Sequence, residues 1–349
     1  MDITIRAIDL NNPGEIKAAR KLGARAFFGF FGLLFWFLFP KPKGAFVAVL
    51  DDQIVSAFFY KLYGPPDKKI GFISYFFTDP SYHGKGIGKQ LFQEGIRHLW
   101  ALDCQRLVSF VRDDNVASWM NFVKMDFIRV PFLSLIPQVG FLTTLKLYIV
   151  TTFGLCFGHD LYFSAKGGPN IQKEPNNLGQ IAAYLLVNAA LFLPIFIATN
   201  ALYLTLATFF TVFVGLAIAG YIGTLFSKRK WHFRLTDGGL LLCGIFTVTV
   251  GFVPMSANWY PQTYENTPQF RRDIALPAVA SWLFLFALAA AAATVFPFLS
   301  GLIQILLIFR CMIFAEPFKS YGGQRIYDWN KAVFAVFVAI SAALVFLIL

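Results

Sequence analysis

The longest uncharged stretch of this chain lies in its second half and restricts the folds that are available to it. Residues 181–226 contain no Asp, Glu, Lys or Arg and are apolar almost throughout. A helix needs about 20 apolar residues to cross a bilayer, so this stretch suits two spans joined at residues 199–200. Of all 349 residues, 57% are hydrophobic and only 14% are charged, which is unlike a soluble domain. We therefore predict an all-α transmembrane domain over residues 180–349.

Three more apolar stretches follow. Residues 238–257 predict a third span, and residues 332–349 predict the last one. Residues 274–309 are uncharged, too long for one span and slightly short for two. Residues 298–315 are therefore interpreted as a shallow or tilted helix, in which Arg310 is either an intramembrane charge or, by preference, an interfacial anchor. The pattern predicts five or six transmembrane helices.

Basic residues predict how these spans are oriented. Residues 228–234 carry four Lys and Arg side chains between the second and third spans, and the positive-inside rule assigns such a loop to the cytoplasm. Two spans earlier, the first half of the chain is then cytoplasmic as well. Residues 258–273 should face outward, with Trp259, Tyr260 and Tyr264 at the membrane interface.

The basic residues near the end of the chain leave the number of crossings open. Lys319, Arg325 and Lys331 would lie outside with six crossings and inside with five. The positive-inside rule prefers five, but charge alone does not decide between them.

The first half of the chain contains a glycine-rich turn. Residues 78–89 read Thr-Asp-Pro-Ser-Tyr-His-Gly-Lys-Gly-Ile-Gly-Lys, after an apolar run over residues 70–77 that is typical of a strand and before a helical pattern. The glycines let the backbone approach a ligand, and the first N–H groups of the helix favour an anion. With two lysines beside them, these features predict a site for pyrophosphate.

Two spacings within this half resemble a known family. In the turn, His83 is followed by Gly86 and Gly88, and downstream Asn115 is followed by Ser118 and Phe122. Together they resemble the GNAT family of acyl-CoA-dependent N-acyltransferases. The family loop is Arg or Gln, two residues, Gly, one residue, then Gly or Ala, and its next motif is Asn, a small residue at +3 and Tyr at +7. The resemblance covers roughly the first 130 residues.

The resemblance implies an α+β fold, with a mixed central sheet flanked by helices, over residues 1–160. A linker over residues 161–179 would follow. It also implies acetyl-CoA, or another acyl-CoA, as the cosubstrate, with backbone N–H groups near the end of the preceding strand polarising the thioester oxygen. The implied cofactor-binding residues are Phe76, Phe77, Thr78, His83, Gly84, Lys85, Gly86, Ile87, Gly88, Lys89, Asn115, Ser118 and Phe122.

The sequence departs from the family pattern where protons are handled. Phe122 occupies the position of the motif Tyr and has no proton to give, and Asp126 replaces the usual Gly. On the strand where family members often carry a Glu base, Ser74 and Tyr75 are the polar candidates for catalysis. Two alternatives remain open. Water can take the place of the missing side chains, or the domain binds acyl-CoA without turning it over.

Two apolar stretches lie within the predicted acyltransferase domain. Residues 26–39 are flanked by basic residues at both ends and are too short to span comfortably. We expect membrane contact in preference to a buried core helix, which would place the acceptor pocket against the bilayer. Simple anchoring of the domain is the alternative. Residues 131–157 are interpreted either as closing strands of the domain or as a hairpin lying against the bilayer.

Other features exclude some classes of function. The pair His159 and Asp160 has no third ligand at a useful spacing, and four cysteines are dispersed, so no metal site is expected. His98 is expected to be solvated. The net charge of +11 suits an anionic membrane surface and an anionic cofactor. Nucleic acid is not expected as a partner, since no basic cluster has aromatic partners in a polar groove.

These expectations combine into one hypothesis. A membrane-bound N-acyltransferase moves an acetyl or other short acyl group from acyl-CoA to an amine acceptor, lipid-like or membrane-resident. It would lie in the inner (plasma) membrane of a prokaryote, with the GNAT-like domain facing the cytoplasm and membrane lipids as partners. The alternative is an acyl-CoA-sensing domain that regulates a membrane transporter or scaffold. The scarcity of ionisable residues in the spans favours the enzyme.

Overall fold

The fold is taken from a computed structural model, which describes residues 3–27, 32, 35–36, 44–112, 115–156, 158–168, 176–263, 265, 267–313 and 318–348. The chain divides into two compact units. The first unit comprises Met1–Val111, Ala117–Thr151 and Asp160–Gln172, and the second comprises Arg112–Val116, Thr152–His159 and Lys173–Leu349. Each unit is described by itself.

A seven-stranded mixed sheet with helices forms the first unit. Its elements are β1 (Thr4–Ala7), α1 (Pro13–Phe27), β2 (Gly44–Leu50), β3 (Gln53–Tyr63), β4 (Ile70–Thr78), α2 (Ile87–Ala101), β5 (Arg106–Arg112), α3 (Val116–Val123), β6 (Ile128–Val130), α4 (Ile136–Val139), α5 (Phe141–Val150) and β7 (His159–Ala165). The strand order is β1-β2-β3-β4-β5-β7-β6. The predicted α+β fold with a mixed central sheet is confirmed.

Alternating aromatic side chains pack the two faces of this sheet. On one face, the rings of Phe58 and Phe76 meet Phe92 of α2, with centroids 5.8 and 5.2 Å away. On the other face, Phe59 and Phe77 belong to the core under α1. Because consecutive strand residues point to opposite faces, the Phe pairs of β3 and β4 supply both layers of core.

Strand β4 leaves its neighbour β5 part-way along its length. The two strands pair in parallel only where residues 70–73 face residues 106–109, and the Ser109 hydroxyl donates to the Ile73 carbonyl at 3.0 Å. The pairing of β4 with β3 continues to Thr78, with an irregularity opposite Ser74. A bulge adds twist and bends a strand, so the sheet opens between β4 and β5 beyond Ser74.

The apolar segment after α1 contributes to the core where the structure describes it. Phe35 has only 4% of its surface exposed, and its ring centroid lies 5.1 Å from Phe27 and 5.6 Å from Phe77. Arg20 lies over the ring of Trp36 at 5.6 Å. For Phe35 the expectation of membrane contact is wrong, because the open face of the sheet beside α1 accepts its ring. Most of residues 28–43 lies outside the described residues.

Residues 131–156 form helices. Two short helices, α4 and α5, occupy this stretch together with 3₁₀ turns, so its interpretation as closing strands is wrong. The last strand of this sheet in chain order, β7, follows this stretch and lies between β5 and the edge strand β6. Helix α5 leaves Phe141, Leu142 and Ile149 exposed, at 61, 78 and 54%. The alternative of a hairpin lying against a bilayer stays a prediction.

Helices dominate the second unit. Its elements are α6 (Asn177–Ala198), α7 (Leu202–Thr224), β8 (Trp231–Leu235), α8 (Leu240–Thr249), β9 (Ala257–Pro261), α9 (Pro268–Thr294), α10 (Ser300–Cys311), α11 (Gly323–Trp329) and α12 (Lys331–Ile348). Three of these helices, α6, α7 and α9, are long and apolar enough to cross a membrane. In the described part of the chain, the other apolar helices are shorter. By length, the structure therefore has fewer candidate spans than the five or six that are predicted.

The predicted third span is wrong. Helix α8 has only 10 residues, which is about 15 Å of helix against a hydrocarbon core of about 30 Å. It ends before Gly251, whose φ is +138°, and the chain then returns as β9. Strands β8 and β9 pair antiparallel, with Phe233 opposite Trp259. Residues 238–257 therefore form a hairpin that comes back to its starting point.

This pairing also corrects the predicted sidedness. Arg229 forms ion pairs with Glu265 at 3.1 Å and with Asp273 at 2.7 Å, so the loop before β8 lies beside the start of α9. The expectation that residues 258–273 face the opposite side is wrong. Trp259 and Tyr260 are buried, at 6 and 2% exposed, and so form no interfacial belt.

Three further predictions for this unit concern Tyr264, Arg325 and Arg310. Tyr264 lies outside the described residues. Arg325 donates to the Trp259 carbonyl at 3.0 Å, so it lies at the same end as β9, while the number of crossings stays a prediction. Arg310 is buried, at 8% exposed, so the preferred interpretation as an interfacial anchor is wrong for a side chain on the surface of the unit.

The position of Phe35 can be tested by a double-mutant cycle. A Cβ at Gly23 would lie 2.2 Å from Cε1 of Phe35. We expect Gly23→Ala to lower the free energy of unfolding by about 1–3 kcal/mol, the usual cost of overpacking, and Phe35→Ala to relieve part of that loss. Thermal unfolding of the full chain measures both. The exposed Leu62→Ala serves as control and should add independently, whereas additivity of Gly23→Ala with Phe35→Ala would contradict the packing.

Candidate functional site

The glycine-rich turn joins β4 to α2. It follows the end of β4 that is not paired with β5. Gly84 and Gly86 both have φ of +79°, a left-handed conformation that glycine adopts at little cost. A Cβ at either position would meet no atom within 4 Å. The turn therefore presents an open backbone surface, as the spacing predicts.

Gly88 has a different role from the other two glycines. A Cβ there would lie 2.7 Å from Oγ1 of Thr78 and 3.3 Å from Cζ of Phe76. The missing side chain lets the first turn of α2 pack directly against the end of β4. Thr78 is itself held by Ser56, whose hydroxyl lies 2.8 Å from that of Thr78.

The start of α2 offers unpaired backbone donors. The first intrahelical bond runs from the Gln90 amide to the Gly86 carbonyl at 3.1 Å, so the amides of residues 87–89 precede it, as at any helix start. No acidic residue lies in the first turn, and Lys85 and Lys89 are exposed. Open amides, the helix dipole and two cations together favour an anion such as pyrophosphate.

Asp79 shapes the turn and was not singled out from the sequence. Its buried carboxylate accepts from the Ser81 amide at 3.0 Å and pairs with Arg25 of α1. The dipeptide Asp-Pro at a strand end was the available signal, since Asp commonly caps a following helical turn. His83 adds a second brace, with Nε2 3.1 Å from the Thr78 carbonyl oxygen.

The two catalytic candidates lie next to each other on β4 and are both engaged. The Ser74 hydroxyl donates to the Phe59 carbonyl at 3.2 Å. The Tyr75 ring packs edge-on against Phe35, with centroids 5.1 Å apart. Ser74 therefore acts first as a support of the bulge, and Tyr75 contributes to the aromatic cluster beside α1.

The second motif is divided between the surface and the core. Asn115 is exposed just before α3, and Ser118 is half-buried on that helix. Phe122 is 2% exposed, and its ring contacts Phe92 and Phe127 at 4.8 and 5.1 Å. Phe122 thus supports the site by packing α3 against α2. The remaining cofactor candidates, Phe76, Phe77, Thr78 and Ile87, lie at the end of β4 or the start of α2.

Asp126 has a backbone conformation that glycine adopts most easily. Its φ is +59°, in the left-handed region that Asp tolerates less easily than glycine. The Phe127 amide still closes the turn by donating to the Phe122 carbonyl at 3.1 Å. The departure from the family pattern at this position is therefore accommodated by the turn.

His98 is half-buried, so its expected solvation is wrong. Its Nε2 lies 3.1 Å from the hydroxyl oxygen of Tyr60, and its ring centroid lies 4.6 Å from that of Phe46. Burial lowers the pKa of His98 below its ordinary value of 6.5, partly opposed by Glu94. Burial also raises the pKa of Tyr60. Neutral His98 can accept a hydrogen bond from the Tyr60 hydroxyl at Nε2. This hydrogen bond joins α2 to β3.

No group of three metal-ligating side chains occurs among the described residues. Asp160 pairs with Arg129, with Oδ1 and Nε 2.9 Å apart and both side chains buried. Asp160 therefore forms an ion pair between β7 and β6.

Comparison with known proteins agrees with this geometry. Residues 15–127 match the Acetyltransferase (GNAT) family. The first unit contains a GNAT acetyltransferase domain. Mycothiol acetyltransferase from Geodermatophilus obscurus is 28% identical over 97 residues, which are 27% of this chain and 30% of that protein. The chain thus matches less than a third of the length of this curated relative.

Solved structures similar to the GNAT domain include two acetyltransferases. The PaiA N-acetyltransferase from Thermoplasma acidophilum, solved with coenzyme A, is 12% identical, with 47% of this chain and 99% of that chain covered and a TM-score of 0.34. A GNAT-family acetyltransferase from Streptococcus pneumoniae is 16% identical, with 37 and 87% covered and a TM-score of 0.29.

The lowered pKa of His98 predicts a pH dependence of stability. Between that pKa and 6.5 the unfolded chain binds more protons than the folded GNAT domain, so stability falls as the pH falls through this window. We expect the unfolding temperature of the full chain to drop between pH 7 and pH 5, and less so in His98→Gln. The exposed His83→Gln is the control. An equal drop in the wild type and in His98→Gln would contradict the assignment.

Proposed function

We propose that this protein is a membrane-bound N-acyltransferase that moves an acetyl or other short acyl group from acyl-CoA to an amine at the membrane. The observation that carries the proposal is the open, donor-rich turn between β4 and α2. It lies at the end of the strand that departs from β5. The GNAT family match supports acyl-CoA as the cosubstrate.

The turn would hold the pyrophosphate of the cofactor. The amides of residues 87–89 precede the first intrahelical bond of α2, and Gly84 and Gly86 leave the surface above them clear. Lys85 lies over the ring of Tyr82 at 4.7 Å, which positions one cation beside the turn. Charge-assisted bonds from backbone N–H groups to phosphate are strong and directional.

The thioester would lie along the free edge of β4. Beyond Ser74 this edge is no longer paired with β5, so an extended pantetheine arm can bond to it in the manner of an added strand. Backbone N–H groups near Phe76 to Thr78 would polarise the thioester oxygen. Such preorganised donors stabilise the charge that develops during acyl transfer.

Water would carry the protons. The Ser74 hydroxyl is already bonded to Phe59, and Phe122 has no acidic proton. The neutral amine attacks the thioester carbonyl, a water chain takes the ammonium proton, and the thiolate leaves as the anion. Tyr75, whose ring packs edge-on against Phe35, is a second candidate proton carrier on β4.

The acceptor is proposed to be membrane-resident because the chain joins the GNAT domain to apolar helices. The second unit has three helices of spanning length. Its basic loop and Arg325 share one end, and the positive-inside rule assigns such an end to the cytoplasm, where acyl-CoA is found. An amine on a lipid, a lipid-linked sugar or a membrane protein fits this setting.

A loop variant tests the cofactor site. Glu at position 86 would fill the open surface and repel phosphate, so Gly86→Glu should weaken acetyl-CoA binding by roughly a hundredfold, about the cost of losing one or two charge-assisted bonds. Calorimetry on the detergent-purified protein measures the affinity. Gly167→Glu is the matched control, since Gly167 has φ of +81° and equally open space. Similar affinities for both variants would contradict the site.

A strand variant tests the proton route. Because its hydroxyl is engaged, Ser74→Ala should change the rate of CoA release by less than about threefold, whereas loss of a true general base costs about a hundredfold or more. Tyr75→Phe is measured beside it, with membrane extracts as the acceptor source. A hundredfold loss in Ser74→Ala would contradict the water route. Binding of acetyl-CoA without any CoA release would favour the sensing alternative.

A further inference from the structure

A polar cavity lies inside the second unit. Its volume is about 40 Å³, which is room for roughly three water-sized groups, and it is only partly enclosed. Aromatic and aliphatic side chains form most of its wall. The polar groups on it include Arg310, Ser256, Ser320 and Tyr184.

Arg310 is the charge in this cavity. Its side chain is buried, at 8% exposed. Its Nη1 reaches the Ala278 carbonyl only at 3.5 Å, and its Nε has no hydrogen-bond partner. Among the described residues, no carboxylate forms an ion pair with it. A buried guanidinium without a counter-charge is strongly unfavourable, so an anion that occupies the cavity would stabilise the unit.

Two serine hydroxyls on the cavity wall also lack hydrogen-bond partners among the described residues. Ser256 and Ser320 are 6 and 4% exposed, and the Oγ of each is buried without a hydrogen-bond partner. Buried hydroxyls are nearly always bonded. A guanidinium and two hydroxyls on the wall of one cavity match the oxygens of a phosphate group, which accept from all three.

The second unit has arginines close to the cavity and large apolar side chains on the outside of its helices. Arg234 and Arg325 both lie over the ring of Tyr260, at 4.9 and 4.4 Å from its centroid, close to the strand that lines the cavity. The helices of the unit expose large apolar side chains, such as Ile197 at 76% and Leu186 at 70%. Molecules that cover such helices have acyl chains, and their common anion is phosphate.

We propose that this cavity binds the phosphate group of a membrane lipid, with Arg310 as the anion-binding residue and Ser256 and Ser320 as hydroxyl donors. The inference is independent of acyl transfer, since every residue in it belongs to the second unit. Binding to the folded state alone raises the unfolding temperature by mass action. The bound lipid thus becomes a structural part of the membrane domain.

The test uses the full chain, delipidated in an uncharged detergent. Phosphatidylglycerol should raise the unfolding temperature and survive native mass spectrometry as a bound lipid, whereas diacylglycerol with the same chains should do neither. Arg310→Met should weaken retention at least about tenfold, the value of one charge-assisted bond. Arg272→Gln, which removes an exposed charge from α9, should retain the lipid as the wild type does.

Further variants keep the proposal falsifiable if Arg310→Met does not fold. Ser256→Ala with Ser320→Ala removes two unbonded hydroxyls, so it should fold and lose lipid affinity severalfold. Stabilisation by inorganic phosphate but not by phosphatidylglycerol would overturn the lipid as the source. Stabilisation that survives Arg310→Met would overturn the site. Glu316 lies outside the described residues, and a Glu316→Gln variant that destabilises the protein as much as Arg310→Met would identify a counter-charge within the chain and overturn the proposal.

Discussion

Strand β4 holds the GNAT domain together while leaving one of its edges free. It pairs with β3 along its whole length and with β5 only over residues 70–73. Both layers of core depend on its alternating side chains, since Phe76 packs against α2 and Phe77 against α1. The same strand leads into the glycine-rich turn, at whose end the amides of residues 87–89 precede the first intrahelical bond of α2. Stability and the candidate site therefore depend on one element, and the bulge at Ser74 separates the paired part from the free part.

The second unit is organised by a comparable constraint. A two-stranded sheet, β8 with β9, ties together both ends of the hairpin that contains α8. Because the sheet also brings Arg229 to Asp273 and Trp259 to Arg325, the basic residues gather at one end. This arrangement leaves Arg310 inside, beside a cavity with unbonded hydroxyls. These polar groups inside an otherwise apolar domain thus include atoms that lack hydrogen-bond partners in the described part of the chain.

Much of the first unit could be predicted, because its signals are local. The glycine spacing, the strand before it and the helix after it lie in consecutive residues, and the turn uses left-handed glycines at Gly84 and Gly86. The long helices α6 and α7 also follow directly from an uncharged run with a break near residue 200. The predictions that failed relied on hydrophobicity alone, which does not distinguish lipid from protein as the neighbour of an apolar side chain. Phe35 is as suited to lipid as to protein, and residues 131–156 are as apolar as a buried strand.

The sequence by itself determined that the chain has a glycine-rich turn of GNAT type followed by long apolar helices. These properties depend on residue type and on spacings of a few residues, so they survive without knowledge of the fold. Only the tertiary structure decided that Phe35 fills the core beside Tyr75, that residues 238–257 turn back, and that Arg310 faces a cavity. Each of these depends on a contact between residues far apart in the chain, where packing and backbone pairing, rather than local hydrophobicity, select the neighbour.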